Sequence, residues 1–274
     1  MRRGVTTSLL LPALLCAAGG ELKTDIEFAR VGDVSLTLDA WVPEGKGPFA
    51  TVIVVHGGGW EAGDKQTFVK PLFPPLSEAG FAWLTVNYRL APKYPFPACT
   101  DDVFRAVEWV KDHAAEYKVD PNRIALMGES AGGHIVAYVG ARGRGKTAVA
   151  AVVDFYGVHD FLLMEKRRGL IKNLKQLLGV TELNAEAESR LREASPINYV
   201  HGRMPPFLFI HGTKDVAVHY EQSPLMCEAM KAAGARCEVY TVEDAPHGVG
   251  PWEKNPAWQG YKKRMVEWLG EVLR

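Results

Sequence analysis

Residues 124–133 read Ile-Ala-Leu-Met-Gly-Glu-Ser-Ala-Gly-Gly, a short apolar run followed by the pattern G-x-S-x-G. The run from Ile124 to Met127 is typical of a strand buried on both faces, and a helix is predicted to begin near Ala131. A strand, a sharp turn and a helix make a nucleophile elbow, whose glycines permit a strained backbone. The stretch therefore predicts Ser130 as a nucleophile, although serine is also a favoured helix cap.

Apolar runs of the same kind recur along the chain and alternate with helical patterns. Apolar residues spaced by three and four predict helices over residues 103–114 and 258–272. A period of two over residues 34–42 is typical of a half-buried strand near a sheet edge. The continuous apolar runs cover residues 51–55, 81–86, 124–127, 149–155 and 207–210. This alternation predicts an α/β fold, a mostly parallel central sheet with helices on both faces.

The chain predicts a single domain over residues 21–274, because no internal repeat, low-complexity tract or Gly/Ser linker interrupts it. Residues 157–206 break the rhythm of strands and helices and are mainly polar. We expect a lid-like insertion there, above the carboxyl ends of the strands. Its basic cluster, Lys166 to Arg168, is interpreted as a solvated helix face.

A serine hydroxyl is a weak nucleophile until a base accepts its proton and an acid orients that base. His247 lies in a predicted loop, Ala-Pro-His-Gly, before the last helix, and Asp215 follows the apolar run at residues 207–210 within His-Gly-Thr-Lys-Asp. The order Ser130, Asp215, His247 is that of the α/β-hydrolase triad. The sequence therefore predicts these three residues as catalytic.

Other candidates for the same roles are weaker. Asp154, at the end of its predicted strand, is the best rival for the acid, and Asp244 is disfavoured because it lies so near His247 in sequence. His134 lies one helical turn after Ser130, so we interpret it as a packed helix residue.

Residues 56–60 read His-Gly-Gly-Gly-Trp and follow the apolar run at residues 51–55. Acyl transfer needs backbone N–H donors close to the developing oxyanion, and glycines let the backbone come that close. Loops of this type supply such donors together with the amide of the residue after the nucleophile, here Ala131. A glycine-rich turn without a catalytic role is the alternative.

Composition limits the classes of partner. Lys plus Arg and Asp plus Glu both number 32, so the balance favours neither nucleic acid nor an anionic membrane surface. The four cysteines form no C-x-x-C pair, so the sequence predicts no zinc or redox site and no cofactor, and it leaves open whether Cys227 pairs with Cys237.

The first 20 residues predict a secretory signal peptide. Arg2 and Arg3 precede an apolar stretch, residues 5–18, that ends in small residues. The stretch is short for a membrane span, so we expect no stable membrane insertion and a secreted or periplasmic protein. A lipoprotein signal using Cys16, or an N-terminal helix packed on a cytoplasmic domain, remains the alternative.

Five motifs occur in a characteristic order: the glycine loop at residues 56–60, Asn-Tyr-Arg-Leu-Ala-Pro at residues 87–92, the elbow at residues 128–133, and the acid and histidine motifs at residues 211–215 and 245–248. On these motifs the chain resembles the α/β-hydrolase superfamily over residues 34–272. Within it, the chain is similar to small bacterial carboxylesterases of the hormone-sensitive-lipase-like group and to acetyl or feruloyl esterases acting on plant polysaccharide. The resemblance implies the triad above, an oxyanion hole made by Gly58, Gly59 and Ala131, and a Trp60 side chain packed below the loop.

The sequence departs from the lipase-like pattern in two ways that affect the expected shape of the active site and its substrates. The acid motif here is Gly-Thr-Lys-Asp, which resembles that of polysaccharide-deacylating esterases and prolyl-oligopeptidase-like hydrolases. The residues between the predicted signal peptide and His56 leave room for an edge hairpin but not for an N-terminal cap. We therefore expect an open site that takes short acyl groups on bulky alcohols. Three alternatives remain: an arylformamidase acting on N-formylkynurenine, a prolyl-oligopeptidase-type peptidase, and a non-catalytic binding protein on the same fold.

Overall fold

The computed structural model describes residues 19–274. The predicted signal peptide therefore falls almost entirely outside the described residues, and the first strand begins at Gly20. Within the described part of the chain, no helix is both long and apolar enough to cross a bilayer.

The described residues form one eight-stranded sheet flanked by helices. The strands are β1 Gly20–Val31, β2 Val34–Pro43, β3 Phe49–Val55, β4 Ala82–Val86, β5 Val119–Glu129, β6 Ala151–Phe155, β7 Phe207–Gly212 and β8 Cys237–Val242. The helices are α1 Phe73–Glu78, α2 Ala98–Asp112, α3 Ala131–Arg142, α4 Phe161–Arg168, α5 Lys172–Leu178, α6 Ala185–Ala194, α7 Gln222–Ala232, α8 Val249–Trp252 and α9 Gly260–Val272. The predicted fold is confirmed.

Strand order is β1-β2-β4-β3-β5-β6-β7-β8. The hairpin β1–β2 and the pair β2–β4 are antiparallel, and the remaining neighbours are parallel. The hairpin β1–β2 lies at the sheet edge, where the sequence left room for an edge hairpin before His56. The bounds of β1 could not be given, because only Phe28 of β1 is buried and the segment carries no apolar period.

Alternation along the parallel strands creates two apolar cores. Ile53 and Val55 of β3 pack on the face that carries α2, α3 and α7, whereas Val52 and Val54 pack on the face that carries α1 and α9. Successive strand residues point to opposite faces, so a strand covered on both faces must be apolar throughout. This requirement explains the continuous apolar runs.

The chain order reverses around β3, which lies between β4 and β5. Val55 pairs with Gly128, so the carboxyl ends of β3 and β5 lie side by side. Ligands of open α/β sheets bind in the crevice at such a switch point. The glycine loop after β3 and the serine turn after β5 meet there.

Candidate active site

The structure brings Ser130, His247 and Asp215 together although up to 117 positions separate them. Nε2 of His247 lies 2.9 Å from Oγ of Ser130, and Nδ1 of His247 lies 2.6 Å from Oδ2 of Asp215. The carboxylate can only accept a hydrogen bond, so Nδ1 donates to it and Nε2 is left to accept the serine proton. This arrangement allows His247 to act as a general base toward Ser130.

Ser130 occupies a strained turn between β5 and α3. Its backbone has φ +56° and ψ −115°, outside the regions that residues with side chains favour. Two glycines permit the turn: a Cβ on Gly128 would lie 2.3 Å from the carbonyl oxygen of Gly132, and one on Gly132 would lie 2.2 Å from that of Val55. Ala131 begins α3, so its amide has no acceptor within the helix.

The Asp215 carboxyl is buried and held in its charged form. Its Oδ1 accepts from the amides of Ala217 and Val218, each at 2.8 Å. Burial opposes ionisation, but hydrogen bonds from His211 and His247 outweigh it and hold the pKa of Asp215 well below its usual range. Asp215 is thus an anion able to orient His247.

His211 is a site residue that the sequence analysis did not single out. Its Nε2 donates to the carbonyl of Val218 at 2.9 Å and lies 3.4 Å from Oδ2 of Asp215, while Nδ1 lies 2.8 Å from the Ser223 hydroxyl. Its position near the end of β7, four residues before Asp215, is the sequence feature that could have indicated a role beside the acid. His211 thus fixes the acid loop, residues 213–221 between β7 and α7, against α7.

Aromatic residues hold the histidine loop, residues 243–248 between β8 and α8, from below. The amide of Val249 donates to the Tyr156 hydroxyl at 2.8 Å, and the Tyr156 ring packs edge-on against His247 with centroids 4.6 Å apart. The Trp252 indole donates to the carbonyl of Pro246 at 2.7 Å. These contacts fix the imidazole above the sheet.

The glycine loop places Gly58 and Gly59 on the wall of the same cavity as Ser130. Both have positive φ, +107° and +62°. Trp60 is buried beneath them, and its indole N–H donates to Nδ1 of His134 at 3.0 Å. Nε2 of His134 in turn donates to the carbonyl of Ala194, so this helix residue links the loop to the insertion.

Residues 87–92 support the glycine loop from the side. The Tyr88 hydroxyl donates to the carbonyls of His56 and Gly57, at 3.1 and 3.3 Å, and its ring stacks on His56. The Ala91 amide donates to the carbonyl of Trp60 at 2.9 Å. Burial lowers the pKa of His56 to about 4, so its ring is neutral and structural.

The rival acids lie elsewhere. Asp154 is fully buried, accepts from the Gly157 amide at 2.8 Å and pairs with His159 at 2.9 Å. Asp244 is exposed and lies 3.7 Å from Lys214. Neither makes a hydrogen bond to His247 among the described residues.

The triad opens into a cavity of about 550 Å³. The insertion contributes Asn173 of α5, and the crossover after β3 contributes the exposed ring of Phe68. Pro251 of α8 and Lys254 just after it complete the lining. Sequence patterns did not single out these residues, because none belongs to a motif. The cavity has the size of a small-molecule site.

Fold and site together place the protein among the α/β-hydrolases that use a serine nucleophile, a class that includes carboxylic ester hydrolases. The chain belongs to the BD-FAE family, whose model matches residues 38–230.

Relatives and solved structures agree with this assignment. The chain is 31% identical to esterase LipQ of Mycobacterium tuberculosis over 232 residues, which cover 79% of this chain and 54% of LipQ. It thus spans about half the length of that relative. A truncated carbohydrate esterase from gut microbiota superposes with a TM-score of 0.79 at 26% identity, covering 96% of this chain and 99% of the other.

A second solved structure, the propionate-bound esterase Est2 of Thermogutta terrifontis, superposes with a TM-score of 0.74 at 27% identity. The superposition covers 96% of this chain and 97% of Est2.

Proposed function

We propose that the protein hydrolyses carboxylic esters through an acyl-enzyme on Ser130, without a cofactor. The observation that carries the proposal is the continuous relay from Ser130 through His247 to the buried, ionised Asp215, which opens into the 550 Å³ cavity.

In the first half-reaction, Oγ of Ser130 attacks the ester carbonyl while Nε2 of His247 takes the hydroxyl proton. Asp215 stabilises the imidazolium that results. The backbone amides of Gly58, Gly59 and Ala131 donate hydrogen bonds to the carbonyl oxygen as it becomes negatively charged. His247 then donates its proton to the leaving alcohol.

In the second half-reaction, His247 takes a proton from water and the hydroxide attacks the acyl carbon. The bond between that carbon and Oγ of Ser130 then breaks, the carboxylic acid leaves, and His247 returns its proton to Oγ. Each step needs only the triad and the amide donors.

The substrates we propose are esters of bulky alcohols, with either a short acyl group such as acetyl or a feruloyl group, on plant polysaccharide. The BD-FAE family, the carbohydrate esterase neighbour and the propionate held by Est2 support this choice.

We also propose that the mature protein is secreted or periplasmic. The predicted signal peptide supports this, as does the disulfide between Cys227 and Cys237, because disulfides persist in oxidising compartments. Cell fractionation and N-terminal sequencing of the protein expressed in its host test the proposal; protein found in the cytoplasm with an intact Met1 would contradict it.

The decisive test of the activity is the variant Ser130→Ala assayed on p-nitrophenyl acetate. We expect the rate to fall by a factor of at least about 10³, because the nucleophile is lost while the fold remains. Circular dichroism and the unfolding midpoint control for folding. Wild-type-like hydrolysis by S130A would refute the proposed mechanism.

A substrate panel resolves the specificity. Acetylated xylan, feruloyl esters, short nitrophenyl esters and N-formylkynurenine are compared by kcat/KM on the same preparation. We expect acetylated xylan or a feruloyl ester to rank first. If N-formylkynurenine ranks first, the protein is an arylformamidase.

A further inference from the structure

Glu129, the residue before the nucleophile, has no role in the relay described above, yet its side chain is buried beneath the site. The residue is 4% exposed, and no group in the described part of the chain donates a hydrogen bond to its Oε1. The backbone of Gly57 lies against the carboxyl: a Cβ at Gly57 would be 2.0 Å from Oε1. Burying a carboxyl with an oxygen that lacks a hydrogen bond costs folding free energy, so the presence of Glu129 at this position needs an explanation.

The groups that face this carboxyl come from every element around it. Glu129 lines the same cavity as Ser130 and His247, and the backbone of Gly57 lies against its carboxyl. The buried hydroxyls of Tyr156, after β6, and Tyr88, after β4, also lie near it. No lysine or arginine among residues 19–274 forms an ion pair with it. Among these neighbours, His247 is the group that gains positive charge during the reaction.

We propose that Glu129 is a positioning residue whose carboxylate stabilises the imidazolium form of His247 while Ser130 is deprotonated, and whose side chain fixes Gly57 at the start of the glycine loop. The inference rests on the roles proposed for Ser130 and His247. The proton moves from Oγ of Ser130 to Nε2 of His247 and onward to the leaving group. Glu129 neither gains nor loses a proton in the step and acts through its charge.

Burial raises the pKa of Glu129 to about 7, because desolvation outweighs the nearby His247 and the donors at Gly57 and Tyr156. The carboxyl therefore takes up a proton as the pH falls through neutrality, and the stabilising charge is then lost. The protonated carboxyl and a glutamine amide have nearly the same shape, and both are neutral.

The test is the pH profile of Glu129→Gln compared with wild type. At pH 9 we expect kcat/KM for p-nitrophenyl acetate to be lower in the variant by about tenfold to a hundredfold, as for loss of one electrostatic stabiliser. The ratio should shrink toward one near pH 5, because wild-type Glu129 is then protonated. A purely structural role would leave the ratio constant with pH, and that result would overturn the proposal.

The matched control is Glu61→Gln, which removes a carboxylate on the outer side of the same loop, 3.9 Å from Lys172. It should keep the wild-type profile; a profile like that of E129Q would overturn the proposal by showing that any charge near the loop has the effect.

The rate at which a fluorophosphonate labels Ser130 gives a second readout that needs no ester substrate. We expect the labelling rates of wild type and E129Q to differ at pH 9 and to become equal as the pH falls toward 5. If the wild type labels in this way but hydrolyses no ester in the panel, the proposed function fails while the role of Glu129 stands. If labelling by E129Q equals that of wild type at every pH, the role of Glu129 fails.

Discussion

Trp60 shows how one side chain joins three parts of the site. Its backbone has φ +64° in the glycine loop, its indole donates to Nδ1 of His134 on α3, and His134 donates onward to Ala194 at the end of α6. Burial lowers the pKa of His134 to about 4, so the ring stays neutral and can accept the indole proton. The oxyanion loop is therefore tied both to the nucleophile helix and to the insertion.

We expect Trp60→Phe to leave Nδ1 of His134 buried without a donor. The loss should lower the free energy of unfolding by about 1–3 kcal/mol and, through looser Gly58 and Gly59 amides, reduce kcat by about tenfold with a smaller change in KM. Urea unfolding and steady-state kinetics measure the two effects. Trp109→Phe, in α2 where the indole stacks on His113, is the matched control. Unchanged kcat in W60F would show that the loop holds its geometry without this hydrogen bond.

At the scale of elements, the insertion is anchored to the acid loop and to α7. Arg167 forms a bidentate pair with Glu221, and Arg168 donates to the carbonyl of Ala217 at 2.7 Å. The basic cluster, interpreted from sequence as a solvated helix face, is exposed and also makes these contacts. Gln222 of α7 accepts from the amides of His159 and Asp160, at 2.8 Å each. The insertion is thus held at the wall of the cavity.

The disulfide between Cys227 and Cys237 joins α7 to β8. We expect the double variant Cys227→Ala, Cys237→Ala to lose about 2–3 kcal/mol of unfolding free energy, because a closed loop of ten residues no longer restricts the unfolded chain. Activity should change less than about twofold, since β8 remains paired with β7. Urea unfolding of both proteins, with wild type also measured under reductant, checks this. Equal midpoints for wild type and variant would contradict it.

At the scale of the whole molecule, buried titratable groups set the response of stability to pH. His56 and His134 have pKa values near 4 in the fold and about 6.5 when unfolded. Between these values the unfolded chain binds more protons, so their contribution falls as the pH drops from about 6.5 to 4, by up to about 3 kcal/mol each. Glu129 acts oppositely: its raised pKa costs stability above about pH 7, and the cost disappears as the pH falls toward 4.5.

The net expectation is a protein that loses stability on acidification, with Glu129 partly offsetting the two histidines. E129Q should therefore be more stable than wild type at pH 8 by about 1–3 kcal/mol, and its stability should fall more steeply between pH 7 and pH 4.5. Urea unfolding at pH 8, 6.5, 5 and 4.5 measures both slopes. Parallel curves for the two proteins would show that the carboxyl is not destabilising in the fold.

The local parts of the site could be predicted from the sequence because local chemistry determines them. The apolar run and glycines around Ser130 specify a strand and a tight turn whatever surrounds them, and the strand β3 followed by glycines does the same for the loop at Gly58 and Gly59. An edge hairpin was expected before His56, but the bounds of β1 were not, since its mostly exposed residues carry no period.

Choosing between distant residues needed the tertiary structure. Asp154 lies at the end of one buried strand and Asp215 follows another, and only packing shows that Asp154 pairs with His159 whereas Asp215 reaches His247. The disulfide was one of several outcomes that the sequence allowed.

The sequence by itself thus determined the α/β fold, the nucleophile turn and the order of the motifs, because backbone propensity and hydrophobic period act over a few neighbouring residues. Only the tertiary structure decided the contacts of His134 and His211, the burial of Glu129 and the lining of the cavity by Phe68 and Asn173. These depend on burial and on contacts between segments far apart in the chain, which no local pattern encodes.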